Sequence, residues 1–171
     1  MKGRELFAGC LFLVMAATTG AQTKISGTMQ CNKPEPAYSI EVGDRPGHVM
    51  LLVKQACAWT GPDIGGEKTK DHDVTGSLDV TATRTVATGA GVATMESGDK
   101  TFSTFHGTAS VKDGKREDEH GTWSYTGGTG KFKGLKGKGT YKVSLNADGA
   151  STVEVEGEYE LAQAKATAKK Q

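Results

Sequence analysis

The seventeen residues from Tyr125 to Tyr141 contain six glycines, which punctuate two segments with strand-like composition. Glycine weakens the interior of a strand, so in a strand-rich chain it marks tight turns and close backbone approaches. The residues that follow the stretch, Gly139 to Val143, again read as a strand. The glycines therefore predict a tight connection between strands, and we expect at least one of them to adopt a positive φ.

A phosphate-binding interpretation of the same glycines fails on spacing. With Gly130 and Lys131 as the Gly-Lys pair, a P-loop requires glycine at position 125 and Ser or Thr at position 132. Those positions hold Tyr125 and Phe132. A dinucleotide fingerprint requires glycine at position 133, which is Lys133, and a helix after it. The sequence therefore predicts a structural loop, and it shows no cofactor motif.

Alternation with a period of two predicts antiparallel strands that have one solvent-exposed face. It is clearest from Val74 to Thr83 and from Ser151 to Leu161, where apolar residues alternate with Thr, Asp or Glu. All four prolines precede residue 63, and turn signals separate the strand-like segments. We predict an all-β fold, a single antiparallel β-barrel of about eight strands, because closure removes the edges of a sheet. The other predicted strands are Lys24–Cys31, Ala37–Val42, His48–Thr60, Val86–Glu96, Thr101–Lys112, Thr122–Thr126 and Thr140–Leu145.

The segment from Gly127 to Gly137 resembles the G-G-T-G-x-F-x-x-x-x-G signature of dirigent proteins and the related allene oxide cyclase-like β-barrels. It is also similar to a segment near the C-terminus of small exported bacterial proteins of unknown function. The resemblance implies the barrel fold. Dirigent proteins guide radical coupling, and allene oxide cyclases close a ring on an oxidised fatty acid. Their functional residues cannot be placed on this sequence, so the resemblance implies no activity.

The N-terminus has the order of a secretory signal peptide. Lys2 and Arg4 precede an apolar run from Leu6 to Ala17, and small residues follow it. The run is too short to span a membrane, so we predict no transmembrane segment, cleavage before Gln22 and a secreted or periplasmic protein. A lipoprotein signal ending at Cys10 is the weaker alternative. The predicted organisation is a signal peptide at 1–21, a β-barrel domain at 22–161 and a flexible Ala- and Lys-rich tail at 162–171.

The net charge of the chain indicates which partners it can bind, and its cysteines indicate the compartment in which it works. Removing residues 1–21 takes two of 21 basic and one of 20 acidic residues, which leaves 19 of each. A chain with zero net charge has no electrostatic footprint for nucleic acid, so we predict no nucleic-acid partner. Cys31 and Cys57 then remain as an even pair, which in an exported protein predicts one disulfide. Two separate buried thiols are the alternative.

Two charged segments contain residues that could bind a metal, Asp71-His72-Asp73 and Glu117–His120. Both lie in stretches that read as solvated loops, and neighbouring residues of a strand point to opposite sides. We therefore predict no metal site. Polar and aromatic residues at the inward positions of predicted strands are better candidates, since a barrel of eight strands can hold one small ligand. The predicted ligand-binding residues are Gln55, Trp59, Arg84, Trp123 and Tyr125; the alternative is that they fill the core or lie at the rims.

Three functions remain open from the sequence. The first is an exported barrel that binds a small hydrophobic or amphipathic molecule, which we favour. The second is a structural or envelope-interaction protein with a filled barrel. The third is a barrel enzyme of cyclase or isomerase type, for which no catalytic residue can be named. The volume of the barrel interior separates the second function from the other two.

Overall fold

The computed structural model describes residues 22–162, most of which lie in β-strands. The all-β prediction is confirmed. Within this range the helical structure is one 3₁₀ turn, Gly130–Phe132, and no helix is long and apolar enough to cross a membrane. The predicted signal peptide and the tail from residue 163 onward lie outside the described residues. The strands are β1 (Thr23–Cys31), β2 (Ala37–Glu41), β3 (Val49–Thr60), β4 (Thr69–Val80), β5 (Arg84–Met95), β6 (Lys100–Lys112), β7 (Lys115–Arg116), β8 (Glu119–Gly128), β9 (Lys136–Leu145) and β10 (Ser151–Glu160).

Eight of these strands close into an antiparallel barrel, as the alternation predicts. Their order around the barrel is β1, β10, β9, β8, β6, β5, β4 and β3, and β3 pairs back with β1. Two short strands are additional: β2 pairs with β3 beyond the end of β1, and β7 pairs with the end of β6. Most partners are consecutive in the chain, because short turns join antiparallel strands without a crossover.

The two ends of the barrel differ. At one end an apolar group, the basal cluster, packs beneath the cavity. Its side chains come from the glycine-rich stretch, the β3–β4 loop and the nearby strand ends, and each is at most 6% exposed. The other end is the mouth of the barrel. It is the end at which β1, β4, β6 and β9 terminate and the β2–β3 hairpin begins. The members of the basal cluster are Ile64, Met95, Phe132, Leu135 and Tyr159.

The glycine-rich loop binds a carboxylate of its own chain. The backbone N–H of Lys131 donates to Asp99 Oδ2 at 2.9 Å, and the Thr129 hydroxyl donates to Asp99 Oδ1 at 3.3 Å. Gly130 has a φ of 47°, and a Cβ at this position would overlap the Asp99 carboxylate. The predicted positive φ is confirmed. Because the loop donors point to Asp99 and Phe132 anchors the loop in the basal cluster, the geometry supports a structural loop.

A disulfide joins Cys31 and Cys57, as the even cysteine pair predicts. The two residues lie directly opposite each other on β1 and β3, with their Cα atoms 4.0 Å apart. Both side chains are buried. The disulfide therefore crosses the contact between β1 and β3 that closes the barrel.

Candidate ligand-binding cavity

The barrel interior contains a cavity of about 830 Å³, with a mainly apolar lining. The cavity extends from the basal cluster to exposed residues of the mouth, among them Ala82, Gly114 and Leu145. It remains hollow because much of the inward surface is made of small residues. The inward positions of β5 are an example, since they hold only alanine and glycine between Thr85 and Met95. Ligand sites in proteins commonly have volumes of about 300–1,000 Å³.

Four of the five predicted ligand-binding residues line this cavity: Gln55, Trp59, Trp123 and Tyr125. Trp123 and Tyr125 share the inward face of β8, where their rings meet edge to face at a centroid distance of 5.0 Å. Trp123 Nε1 donates a hydrogen bond to the Glu156 carbonyl at 3.2 Å, so the indole is fixed against the inner wall, over Gly139 and Gly157. Burial raises the pKa of Tyr125, and the nearby Tyr159 adds to the shift, so the Tyr125 phenol stays protonated.

Gln55 and Trp59 each have a polar atom tied to the barrel wall. Gln55 Nε2 donates to the Asn32 carbonyl at 2.9 Å and lies 3.5 Å from Ser151 Oγ. Trp59 Nε1 donates to the Pro62 carbonyl at 3.1 Å. Both side chains therefore present fixed surfaces to the cavity, with the Gln55 amide near the mouth and the Trp59 indole near the basal cluster.

Arg84 does not line the cavity, so its predicted inward position is wrong. The side chain is exposed at the start of β5 and borders a polar depression on the outside of the barrel. The prediction extended one strand from Val74 through residue 83, whereas β4 ends at Val80 and a turn follows. In that turn the backbone N–H of Thr81 donates to the Arg84 carbonyl at 2.8 Å. The turn changes the inward parity, so that Thr85 faces the interior.

A cluster of charged and phenolic groups on the cavity wall was missed by the sequence interpretation. Arg116 of β7 donates from Nη2 to the carboxylate of Glu119, the first residue of β8. The Tyr141 hydroxyl of β9 donates to the other carboxylate oxygen at 2.5 Å. Glu119 is only 4% exposed, and Gly107 leaves room for the Tyr141 hydroxyl. Burial and the Glu119 carboxylate raise the pKa of Tyr141, so Tyr141 remains a donor.

His72 is a second group that the sequence interpretation placed in a solvated loop. The structure places it within β4, where it lines the cavity next to Ser103 and above Gly91. Burial lowers the pKa of His72 to about 4, although the Asp73 charge acts in the opposite direction. His72 is therefore neutral at pH 7 and can donate or accept a hydrogen bond, according to its tautomer. The sequence signal for His72 is its position two residues before the inward Val74, because side chains at i and i+2 of a strand lie on the same face.

The lowered pKa of His72 predicts that acid destabilises the fold. The unfolded chain takes up a proton near pH 6.5, whereas folded His72 takes it up only near pH 4. Stability should therefore fall as the pH is lowered from 7 to 5, by up to about 2 kcal/mol from this group. Urea unfolding of the wild type and of His72→Gln at both pH values measures the difference, and this contribution should be absent in the variant. The exposed His120 provides the control: His120→Gln should keep the full dependence, and an identical pH dependence in all three proteins would contradict the assignment.

Within residues 22–162, no cluster of three or more His, Cys, Asp or Glu side chains is arranged to hold a metal ion. The interior offers mostly aromatic and aliphatic surface, with a few fixed hydrogen-bonding groups and the Arg116–Glu119 ion pair. The fold and its interior define a hollow, antiparallel β-barrel of eight strands.

Comparison with known proteins gives likenesses of fold. No family model matches the chain, and no curated protein does. Among solved structures, the chain is similar to a pterocarpan synthase dirigent protein, at 14% identity over 91% of this chain and 98% of that chain, with a TM-score of 0.46. It is similar to pyocyanin demethylase, at 16% identity over 80% and 99%, with a TM-score of 0.43.

A third similar structure is a protein of unknown function from the DUF3224 family of Shewanella oneidensis MR-1, at 17% identity over 84% of this chain and 100% of that chain, with a TM-score of 0.43. These likenesses concern the fold and assign no activity.

Proposed function

We propose that this protein is an exported β-barrel that binds a small, largely apolar molecule in its interior. The observation that carries the proposal is the cavity of about 830 Å³ inside a barrel whose wall is mostly apolar. An eight-stranded barrel either fills its interior with side chains or holds one small ligand there. Because this interior is hollow, a filled structural barrel is the less favoured alternative.

The lining supports an apolar ligand with aromatic or branched character. Phe105, Trp123 and Tyr125 present ring surfaces, and Leu51 and Val53 line the wall toward the mouth. Apolar surface that a ligand removes from water contributes about 25 cal/mol per Å² before the costs of association. Burial of the apolar surface of a ligand is therefore the main favourable contribution to binding in this interior.

Export is part of the proposal. The order of positive, apolar and small residues in the first 21 positions supports it, and so does the disulfide between Cys31 and Cys57, because such bonds persist in oxidising compartments. Native mass spectrometry of protein recovered from the exported fraction of its own host tests both parts. The expected result is a chain that begins at Gln22 with an additional bound mass. A chain that begins at Met1 would overturn the export proposal.

Two neighbouring residues of β3 provide a matched test of the binding site. Val53 lines the cavity, whereas the adjacent Leu52 points outward and is 53% exposed. Val53→Trp should fill part of the interior and weaken binding of the fluorescent probe N-phenyl-1-naphthylamine by about tenfold or more, which corresponds to about 1.4 kcal/mol. Leu52→Trp adds the same indole outside and should leave the affinity unchanged. Equal effects of both variants would contradict binding in the barrel.

An enzyme of cyclase or isomerase type is the second candidate function. The observation that favours it is the Arg116–Glu119–Tyr141 cluster, since a buried carboxylate on a cavity wall is a common feature of active sites. Arg116 neutralises the Glu119 charge, however, and Tyr141 also donates to it. Both carboxylate oxygens are therefore already engaged, and the arrangement is better suited to holding a ligand than to removing a proton from one.

A further inference from the structure

Arg116 retains hydrogen-bond donors that no group of the described chain uses. Its guanidinium carries five N–H donors. The hydrogen bond found for it among residues 22–162 is the one from Nη2 to Glu119. Arg116 Nε is one of two buried side-chain atoms without a partner in the described residues, and the hydroxyl oxygen of Thr85 is the other. Buried polar groups in folded proteins nearly always have a partner, and an unpaired one destabilises the fold.

The two unpaired groups lie on the same part of the cavity wall. Thr85 of β5 pairs with Ala109 of β6. On the other side of β6, Thr108 pairs with His120 of β8, so the next position places Ala109 beside Glu119. Arg116 enters from β7, which pairs with β6 at Val111. Thr85, Arg116 and Glu119 all line the cavity, and 20% of the Arg116 side chain is exposed. A molecule in the cavity can therefore contact these side chains, and a small shift of Arg116 or Thr85 would bring its buried, unpaired atom to a ligand oxygen.

The charge of the cluster restricts what that molecule can carry. Arg116 and Glu119 form an ion pair and together have no net charge. A second carboxylate here would meet the negative Glu119 in a region of low dielectric, where repulsion is strong. A neutral acceptor oxygen can instead take hydrogen bonds from Arg116 or Thr85 without adding charge. A pure hydrocarbon would leave these donors unpaired.

We infer that the Arg116–Glu119–Tyr141 cluster and Thr85 form a polar anchor for a neutral oxygen, so that the barrel selects apolar ligands that carry a carbonyl group over hydrocarbons and carboxylates. This inference rests on the proposed binding function. Arg116 donates to the ligand oxygen, and Glu119, which also accepts a hydrogen bond from Tyr141, holds the guanidinium in place. The aromatic side chains hold the apolar body.

Three molecules of matched shape test the anchor: 2-acetylnaphthalene, 2-isopropenylnaphthalene and 2-naphthoate. The first two differ only in the exchange of the carbonyl oxygen for a methylene group. Titration of the mature protein at pH 7.5, followed by tryptophan fluorescence and calorimetry, should show 2-acetylnaphthalene binding about tenfold more tightly than the hydrocarbon, because the ketone oxygen accepts a hydrogen bond from a charged donor. The naphthoate should bind most weakly.

Substitutions test which residues produce the preference for the ketone over the hydrocarbon. Arg116→Met should lower the affinity for the ketone to that for the hydrocarbon. Thr85→Val should remove part of the preference for the ketone. Arg116→Met alone leaves the buried Glu119 charge without its partner and could prevent folding. The double variant Arg116→Met/Glu119→Gln removes both charges and should also show no preference for the ketone. Arg84→Met removes an exposed arginine outside the cavity and should keep the full preference.

The outcomes separate the anchor from the binding function. If ketone and hydrocarbon bind the wild type equally well, the anchor is wrong and the proposed function stands. If the naphthoate binds most tightly, the neutral class of ligand is wrong. If the folded double variant keeps the ketone preference, the assignment to Arg116 is wrong. If none of the three molecules binds the wild type, both the anchor and the proposed function are overturned.

Discussion

Replacing Gly139 with valine is expected to destabilise the protein by more than about 3 kcal/mol, because the strands at this point leave no room for a side chain. Gly139 of β9 lies directly opposite Gly157 of β10, and the Trp123 indole packs over both. A Cβ at Gly139 would overlap the backbone carbonyl oxygen of Glu156 and would contact Trp123 Nε1. Backbone cannot move aside as a flexible side chain can. Chemical unfolding in guanidinium, followed by tryptophan fluorescence, measures the loss.

Two control substitutions distinguish this effect from a general sensitivity of the glycine-rich stretch. Thr140 is the next residue of β9 and points outward, so Thr140→Val should change the free energy of unfolding by less than about 0.5 kcal/mol. Lys131→Ala removes an exposed side chain from the loop and should be equally mild. If Gly139→Val unfolds at the same guanidinium concentration as the wild type, the close packing of β9, β10 and Trp123 is wrong.

The alternation of apolar and polar residues was sufficient to predict most of the barrel strands, because most of them have one wet and one inward face. The predicted segment Lys24–Cys31 corresponds to β1 at Thr23–Cys31, and Ser151–Leu161 corresponds to β10 at Ser151–Glu160. The glycine-rich loop was also predictable, since Phe132 and Leu135 are the bulky apolar residues available to anchor it. In each case the signal is local in sequence, because neighbouring side chains alternate between solvent and interior.

The candidate site was harder to predict, because its polar residues occupy positions that local composition assigns to solvent. Asp71, His72 and Asp73 read as a charged loop, yet they continue β4, and only the central side chain faces inward. Glu119 follows other charged residues, and its buried ion pair depends on Arg116 and on Tyr141 from a distant strand. The turn before Arg84 has no Gly, Pro, Asn or Asp to mark it. Such partnerships depend on strand register, which a single sequence does not reveal.

The pairing of β1 with β3, which closes the barrel, is short. β1 pairs with β10 along its whole length, from Thr23 to Cys31, whereas it pairs with β3 only from Thr28 to Cys31. Beyond Cys31 the chain leaves the barrel wall, and β2 takes its place against β3. The Cys31–Cys57 disulfide lies at the last of these β1–β3 pairs. A covalent bond therefore reinforces the part of the barrel with the fewest backbone hydrogen bonds.

Removing this bond is expected to lower the free energy of unfolding by about 3–4 kcal/mol. The two cysteines are 26 positions apart, and a crosslink over a loop of that length restricts the unfolded chain by about this amount. The comparison is between the oxidised chain starting at Gln22 and the variant Cys31→Ala/Cys57→Ala. Hydrogen exchange should also become faster at Ala58–Thr60 of β3, which pair only with β1, than along β10, because the short β1–β3 contact opens first.

Reduction supplies the control for this last comparison. Dithiothreitol should lower the stability of the wild type to that of the double variant and should leave the variant unchanged. An engineered loss of packing would instead make the variant less stable than the reduced wild type. If the oxidised wild type and the variant unfold at the same guanidinium concentration, the disulfide does not reinforce barrel closure. Two titratable thiols in the native oxidised protein would show that the bond is absent.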